Sequence, residues 1–287
     1  MHLESCRHLL RELVFVGLGL GLTLTPAPSP AQPLIEGHGQ GTVIRNLGFP
    51  HGTPLLDGFR FRFGPPWVAP SALDHHLGTI ELLLGRPSPR QITLALRDKN
   101  GDDTFAYVGS FHTRPSSGIE LGEFETELCS AYGCYKAIRL PDDDRVFVLR
   151  GFGFSTISAK EAHLERIRVR ERDGLLEIWP WFVTPQLIGN PDSIAFTARV
   201  EWALLPPDRV RQVGVSSGTA RGSDHREIPP GDSVIRGFDL SFTRGHHIRE
   251  IGVLTPESGR VEVFFNDKDQ DDDFDWSVDW AILEPAS

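Results

Sequence analysis

The chain has 287 residues, with 39 acidic and 29 basic side chains, a net charge of −10 and 39% hydrophobic residues. That length and apolar content suffice for one large domain or two to three small ones. The acidic balance removes any electrostatic drive toward nucleic acid or an anionic membrane face, so neither is expected as a partner.

Residues 1–31 read as a secretory signal. Arg7 and Arg11 give a basic start, "LVFVGLGLGLTLT" supplies an apolar run, and Ser29 and Ala31 stand in the spacing a signal peptidase reads. The run is short and glycine-rich for a membrane span, so no membrane insertion is expected after cleavage, and a retained N-terminal anchor is the lesser alternative. The expected location is secreted, periplasmic or at the cell surface. Cys6 leaves with the signal. Cys129 and Cys134 remain, in "CSAYGC". In an oxidising compartment this spacing suits a small disulfide loop better than a zinc site, which lacks a second pair.

The rest of the chain repeats itself. "LLDGFRFRF" (55–63), "VLRGFGFS" (148–155) and "VIRGFDLSF" (234–242) share a Gly-Phe start at Gly58, Gly151 and Gly237. "DHHLGTI", "EAHLERIRV" and "GHHIREI" follow in the same order, which aligns His76, His163 and His247. "DKNGDDTFAYVGSF" (98–111) then matches "DKDQDDDFDWSVDW" (267–280) without a gap. The middle segment lacks this acidic loop and carries "WPWFVTPQLIGNPDS" instead. Three modules are expected, at 32–112, 113–206 and 207–287.

Each matched element alternates or runs apolar with β-branched and aromatic residues between Gly- and Pro-rich connections. "SAKEAHLERIRVRERD" has some helical character, but Leu164, Ile167 and Val169 fit a strand, as in the other segments. No strand–helix alternation appears. The expected fold is all-β: three tandem small antiparallel sandwich or barrel modules, with a pseudo-threefold arrangement as one way of packing them.

The acidic hairpins carry Asp98, Asn100, Asp102 and Asp103 in the first segment and Asp267, Asp269, Asp271, Asp272 and Asp273 in the third. Oxygen-bearing side chains at i, i+2 and i+4 begin calcium loops, and millimolar extracellular calcium fills weak sites. Neither loop has the glycine or the terminal glutamate of an EF-hand. Calcium ligation and a solvated, pairing-resistant hairpin tip both fit. His76, His163 and His247 would converge on a pseudo-threefold axis as metal ligands, or hydrogen-bond the acidic tips.

"GVSSG" matches G-x-S-x-G at Ser216, but a nucleophile elbow requires a helix after it, and "TARGSDHREIPPGD" forms none. The match is read as coincidence. Trp179, Trp181 and Phe182 either offer aromatic faces to a sugar ring or fill the core.

"RQVGVSSG", "GFDLSFT" and the closing "RVEVFFNDKDQDDDFDWSVDWAIL" resemble the H-type lectins, whose compact antiparallel sandwiches assemble as trimers and bind sugars such as N-acetylgalactosamine. The resemblance implies that fold and a binding role. This chain has Asn266–Asp267 where the family's loop tip carries Trp-His, so no sugar specificity is implied. The expected function is a secreted, non-catalytic protein that binds a glycan or another cell-surface polymer, with calcium as a candidate cofactor. A structural envelope or matrix protein stiffened by calcium is the second reading, and a hydrolase the third.

Overall fold

The computed structural model describes residues 34–48, 52–64, 77–85, 88, 90–98, 104–126, 135–141, 144–156, 163–183, 196–255, 259–268 and 272–285. The expected signal, both remaining cysteines, His76, Asn100, Asp102, Asp103, Asp269 and Asp271 lie outside this set, as does the side chain of Phe182. Residues 32–287 form one compact unit.

The described residues are all-β, with a single 3-10 turn at Pro207–Arg209 and no α-helix among them. In the first segment the strands are β1 (Leu34–Gln40), β2 (Thr42–Asn46), β3 (Thr53–Phe63), β4 (Leu77–Leu84), β5 (Gln91–Asp98) and β6 (Thr104–Arg114). The second contributes β7 (Glu120–Glu125), β8 (Lys136–Arg139), β9 (Val146–Thr156), β10 (His163–Arg172), β11 (Leu175–Val183) and β12 (Phe196–Leu205). The third contributes β13 (Val210–Glu227), β14 (Ser233–His246), β15 (Ile248–Leu254), β16 (Arg260–Asp267) and β17 (Asp273–Leu283). The ambiguous stretch from His163 is a strand, as its alternation predicts.

Every strand pair is antiparallel, in two sheets. One has eleven strands in the order β1-β6-β3-β15-β16-β13-β17-β14-β10-β11-β8, the other six in the order β2-β5-β4-β9-β12-β7. Neither closes into a barrel. The long β13 spans both arms of the larger sheet, pairing β17 through Arg221 and β16 from Gly222 onward. Gly222 has φ +75°, and Gly41, between β1 and β2, has φ +61°. At these points the chain leaves one partner strand for another, which requires a conformation that costs glycine little.

Pairing crosses the boundaries of the sequence segments. β4 pairs β9, β10 pairs β14 and β15 pairs β3, so strands of different segments share sheets. The aligned glycines sit at these crossings. A Cβ on Gly237 would lie 2.6 Å from the Arg170 Cα, and one on Gly151 would lie 2.6 Å from the Leu82 carbonyl oxygen. Only glycine admits so close a strand. Just before each glycine the register shifts, leaving Asp57, Arg150 and Arg236 as bulged residues.

The core forms where the inner faces meet. Phe59, Phe152 and Phe238, each following an aligned glycine, form a triangle with ring centroids 4.7, 5.1 and 5.1 Å apart. All three are fully buried. Their matched neighbours Leu55, Val148 and Val234 join a second apolar cluster. One residue from each segment thus supplies each of these contacts.

Candidate functional site

The outer face of one sheet arm collects the aromatic residues singled out in the middle segment. Along β11, Leu176, Ile178 and Pro180 are buried, while Glu177, Trp179 and Trp181 alternate with them and are half-buried. Period-two alternation therefore turns both tryptophans away from the core. Tyr135 stands beside them, with its ring 5.9 Å from Trp179 in an edge-on contact, and Trp181 meets Trp179 edge-on at 5.8 Å.

Strand β10 lays a ladder of arginines next to these rings. Arg166, Arg168 and Arg170 occupy alternate positions, and the register places Arg168 between Trp179 on β11 and Asp239 on β14. Arg166 grips Asp239 in a two-point pair, Nε to Oδ1 at 2.7 Å and Nη2 to Oδ2 at 2.6 Å. Arg168 Nε donates to Asp239 Oδ2 at 2.9 Å, and Arg168 and Arg170 both donate to Glu177 Oε2 at 3.3 Å. Tyr135 donates its hydroxyl proton to Glu177 Oε1 at 3.0 Å. The Arg166 guanidinium lies over the Trp179 ring at 4.7 Å and that of Arg168 at 5.2 Å.

Burial pushes Asp239 and Glu177 upward, but the bonds to Asp239 from Arg166 and Arg168, and to Glu177 from Tyr135 and Arg170, hold both below the usual carboxylate range. Both remain anions at neutral pH, so the network is fixed. The arrangement thus sets fixed hydrogen-bonding groups beside half-buried aromatic rings.

The acidic loops are described in part. Asp98 and Asp267 end β5 and β16, opposite Leu77 and Ile248, and their side chains are buried. Asp272 is half-buried, whereas Asp273 is exposed and accepts a hydrogen bond from Arg221 Nε at 3.1 Å. The first carboxylate of each loop is thus not a solvated tip. His163 and His247 are brought together, their ring centroids 4.2 Å apart. Among the described residues no group of three or more His, Cys, Asp or Glu is placed to hold a metal ion.

Ser216 lies in the middle of β13, opposite Val278, and its Oγ accepts a hydrogen bond from Trp280 Nε1 at 3.1 Å. Gly214 faces Trp280, whose ring would meet a Cβ there at 2.3 Å. The Gly-x-Ser pattern therefore seats a tryptophan, and Ser216 is on no strand-to-helix turn.

No protein-family model and no curated protein matches the chain. The arginine ladder and its carboxylates went unread in the sequence. Its signal was present in Arg166, Arg168 and Arg170 at i, i+2 and i+4, but alternation alone does not say which strand lies alongside.

Proposed function

We propose that the protein is a secreted, non-catalytic binding protein for carbohydrate or another cell-surface polymer, and that Trp179 and Trp181 form its ligand platform. The outward setting of these two tryptophans on β11, beside Tyr135 and the Arg–Asp–Glu grid, carries the reading. Sugar rings present apolar C–H faces that pack on aromatic rings, and their hydroxyls bond to charged side chains already fixed in place. The lectin resemblance supports the same class of function.

A glycan array followed by titration of intrinsic fluorescence tests it. Trp181→Ala is expected to weaken binding about tenfold or more, roughly 1.4 kcal/mol. Val215→Ser, at a 64% exposed position on β13, leaves it unchanged. Equal affinity of Trp181→Ala and the parent would sink the platform.

Calcium at the acidic loops belongs to the same proposal, supported by the burial of Asp98 and Asp267 at matching strand ends. Millimolar calcium is then expected to raise the melting temperature over that in chelator, reflecting a stabilisation of about 2.7 kcal/mol at a hundredfold excess over Kd. The rise disappears in the Asp98→Ala/Asp267→Ala variant. Superimposable curves for the parent would remove calcium from the reading.

A further inference from the structure

Arg150 and Arg236 hold matching bulged positions before Gly151 and Gly237, and each makes the same backbone bond. Arg150 Nε donates to the Pro54 carbonyl oxygen at 3.1 Å, and Arg236 Nε to that of Phe147 at 3.2 Å. Pro54 and Phe147 are themselves matched, each four residues before an aligned glycine. Beyond this bond the two guanidiniums differ. Arg236 Nη2 donates to Glu171 Oε2 at 2.7 Å. The residue matching Glu171 beside Arg150 is Leu84, since each lies seven positions after the aligned Leu164 and Leu77. One segment supplies a carboxylate where the other supplies an isobutyl group.

The cavities differ accordingly. Arg150 lines a cavity of about 590 Å³ together with Thr53, Leu84, Arg90, Gly122 and Glu201. The nearest counterpart, lined by Phe147 and Glu171 but not by Arg236, is about 260 Å³. Among the described residues Arg150 has no ion pair, and Pro54 is its one hydrogen-bond acceptor. Glu201 acts on it at longer range, but Glu201 Oε2 accepts from the Leu84 amide at 2.8 Å and Oε1 faces Arg199 Nε at 3.5 Å. Burial lowers the Arg150 pKa, with Glu201 opposing the shift. The group stays a cation, because arginine starts from so high a value.

A half-buried guanidinium that has no direct ion pair, and whose nearby Glu201 is shared with Arg199 and the Leu84 amide, is more stable when an anion completes it. We propose that the cavity at Arg150 binds a ligand carboxylate, which takes the place that Glu171 holds at Arg236. A planar carboxylate matches the two-pronged donor set of a guanidinium. Glu201 and Glu123 line the cavity with Arg90 and Arg150, and these two acids against two bases favour a monoanion over a phosphate dianion. The site is lined by β4, β7, β9 and β12 of the six-stranded sheet with Thr53 and Pro54 of β3, and shares no residue with the tryptophan face, so it does not depend on the platform.

The test is isothermal titration of the full chain at low salt with sodium glucuronate, sodium propionate and glucose. Saturable binding of a carboxylate is expected, with glucose bound at least about tenfold more weakly. Arg150→Gln is expected to lose about tenfold or more, as for other truncated charge pairs. Leu84→Glu installs the internal carboxylate, and is expected to abolish binding while raising the melting temperature. Glucuronate bound more tightly than propionate identifies the carboxylate as one carried on a saccharide. Equal affinities identify a free carboxylate, and either result supports the site. Absence of saturable binding by both salts, or an unchanged affinity in Arg150→Gln, overturns it. If Arg150→Gln does not fold, retained binding in Leu84→Glu overturns it instead.

Discussion

Phe152→Ala is expected to cost about 3–5 kcal/mol of folding stability, as truncation of a fully buried phenylalanine does. Phe152 is 0% exposed and touches Phe59 at 4.7 Å and Phe238 at 5.1 Å, so its loss opens a cavity where strands of all three segments meet. Each aromatic pair adds roughly 0.5–1.5 kcal/mol beyond the area buried. Phe264→Ala is the comparison. That ring is half-buried on the outer face of β16 under the Arg60 guanidinium at 3.9 Å, a contact worth roughly 0.5–1 kcal/mol. Urea unfolding followed by circular dichroism reads both. A Phe152→Ala midpoint shifted no further than that of Phe264→Ala would deny the triangle its central role.

The second large effect is on the pH dependence of stability, where two buried groups oppose each other. Burial raises Asp279 from 3.8 to about 6, only partly offset by Arg170 and Arg236. Its folded form therefore holds a proton more tightly than the unfolded chain does, and stability rises as pH falls from about 6 to about 4. Burial lowers His112 from 6.5 to about 4. The unfolded chain takes up that proton first, so stability falls as pH drops from about 6.5 to about 4. Each shift corresponds to about 3 kcal/mol. The two contributions oppose each other between about pH 4 and 6.5, so the parent protein is expected to change less there than either group alone would impose. Below that range it loses stability, because Asp239 and Glu177 must be protonated against their arginines.

Asp279→Asn separates the two. It removes a desolvated charge, so the variant melts higher than the parent at pH 7. It also unmasks the histidine, so stability falls steeply from pH 6.5 to 4. Thermal melts of parent and variant at half-unit pH steps measure this. Parallel profiles would exclude Asp279 as a raised carboxyl.

The strands were legible because their evidence is local. Alternation in "FRFRF", "LERIRV" and "RVEVFF" marks an inside and an outside wherever the partner strand lies. The recurring Gly-Phe start located β3, β9 and β14, and the missing helix spoiled the reading of Ser216 as a nucleophile. The glycines beside Ser216 needed the fold to be understood, because the ring packed on Gly214 comes from Trp280, far away in sequence.

The sequence by itself determined the all-β class, the positions of the main strands, the acidic character and the set of matched residues. The tertiary structure decided which strands lie together. Backbone hydrogen bonding is nearly blind to sequence, so the pairing of β4 with β9, β10 with β14 and β15 with β3 follows from packing the whole core. The β10–β11 pairing sets Trp179 and Trp181 beside Arg168 and Arg166, while the pairings between segments set Asp239 across from Arg168 and put Leu84 rather than a carboxylate beside Arg150. A charge has no function until its neighbour is known, and here Arg166 and Arg168 find Asp239, and Arg236 finds Glu171, in another segment of the chain.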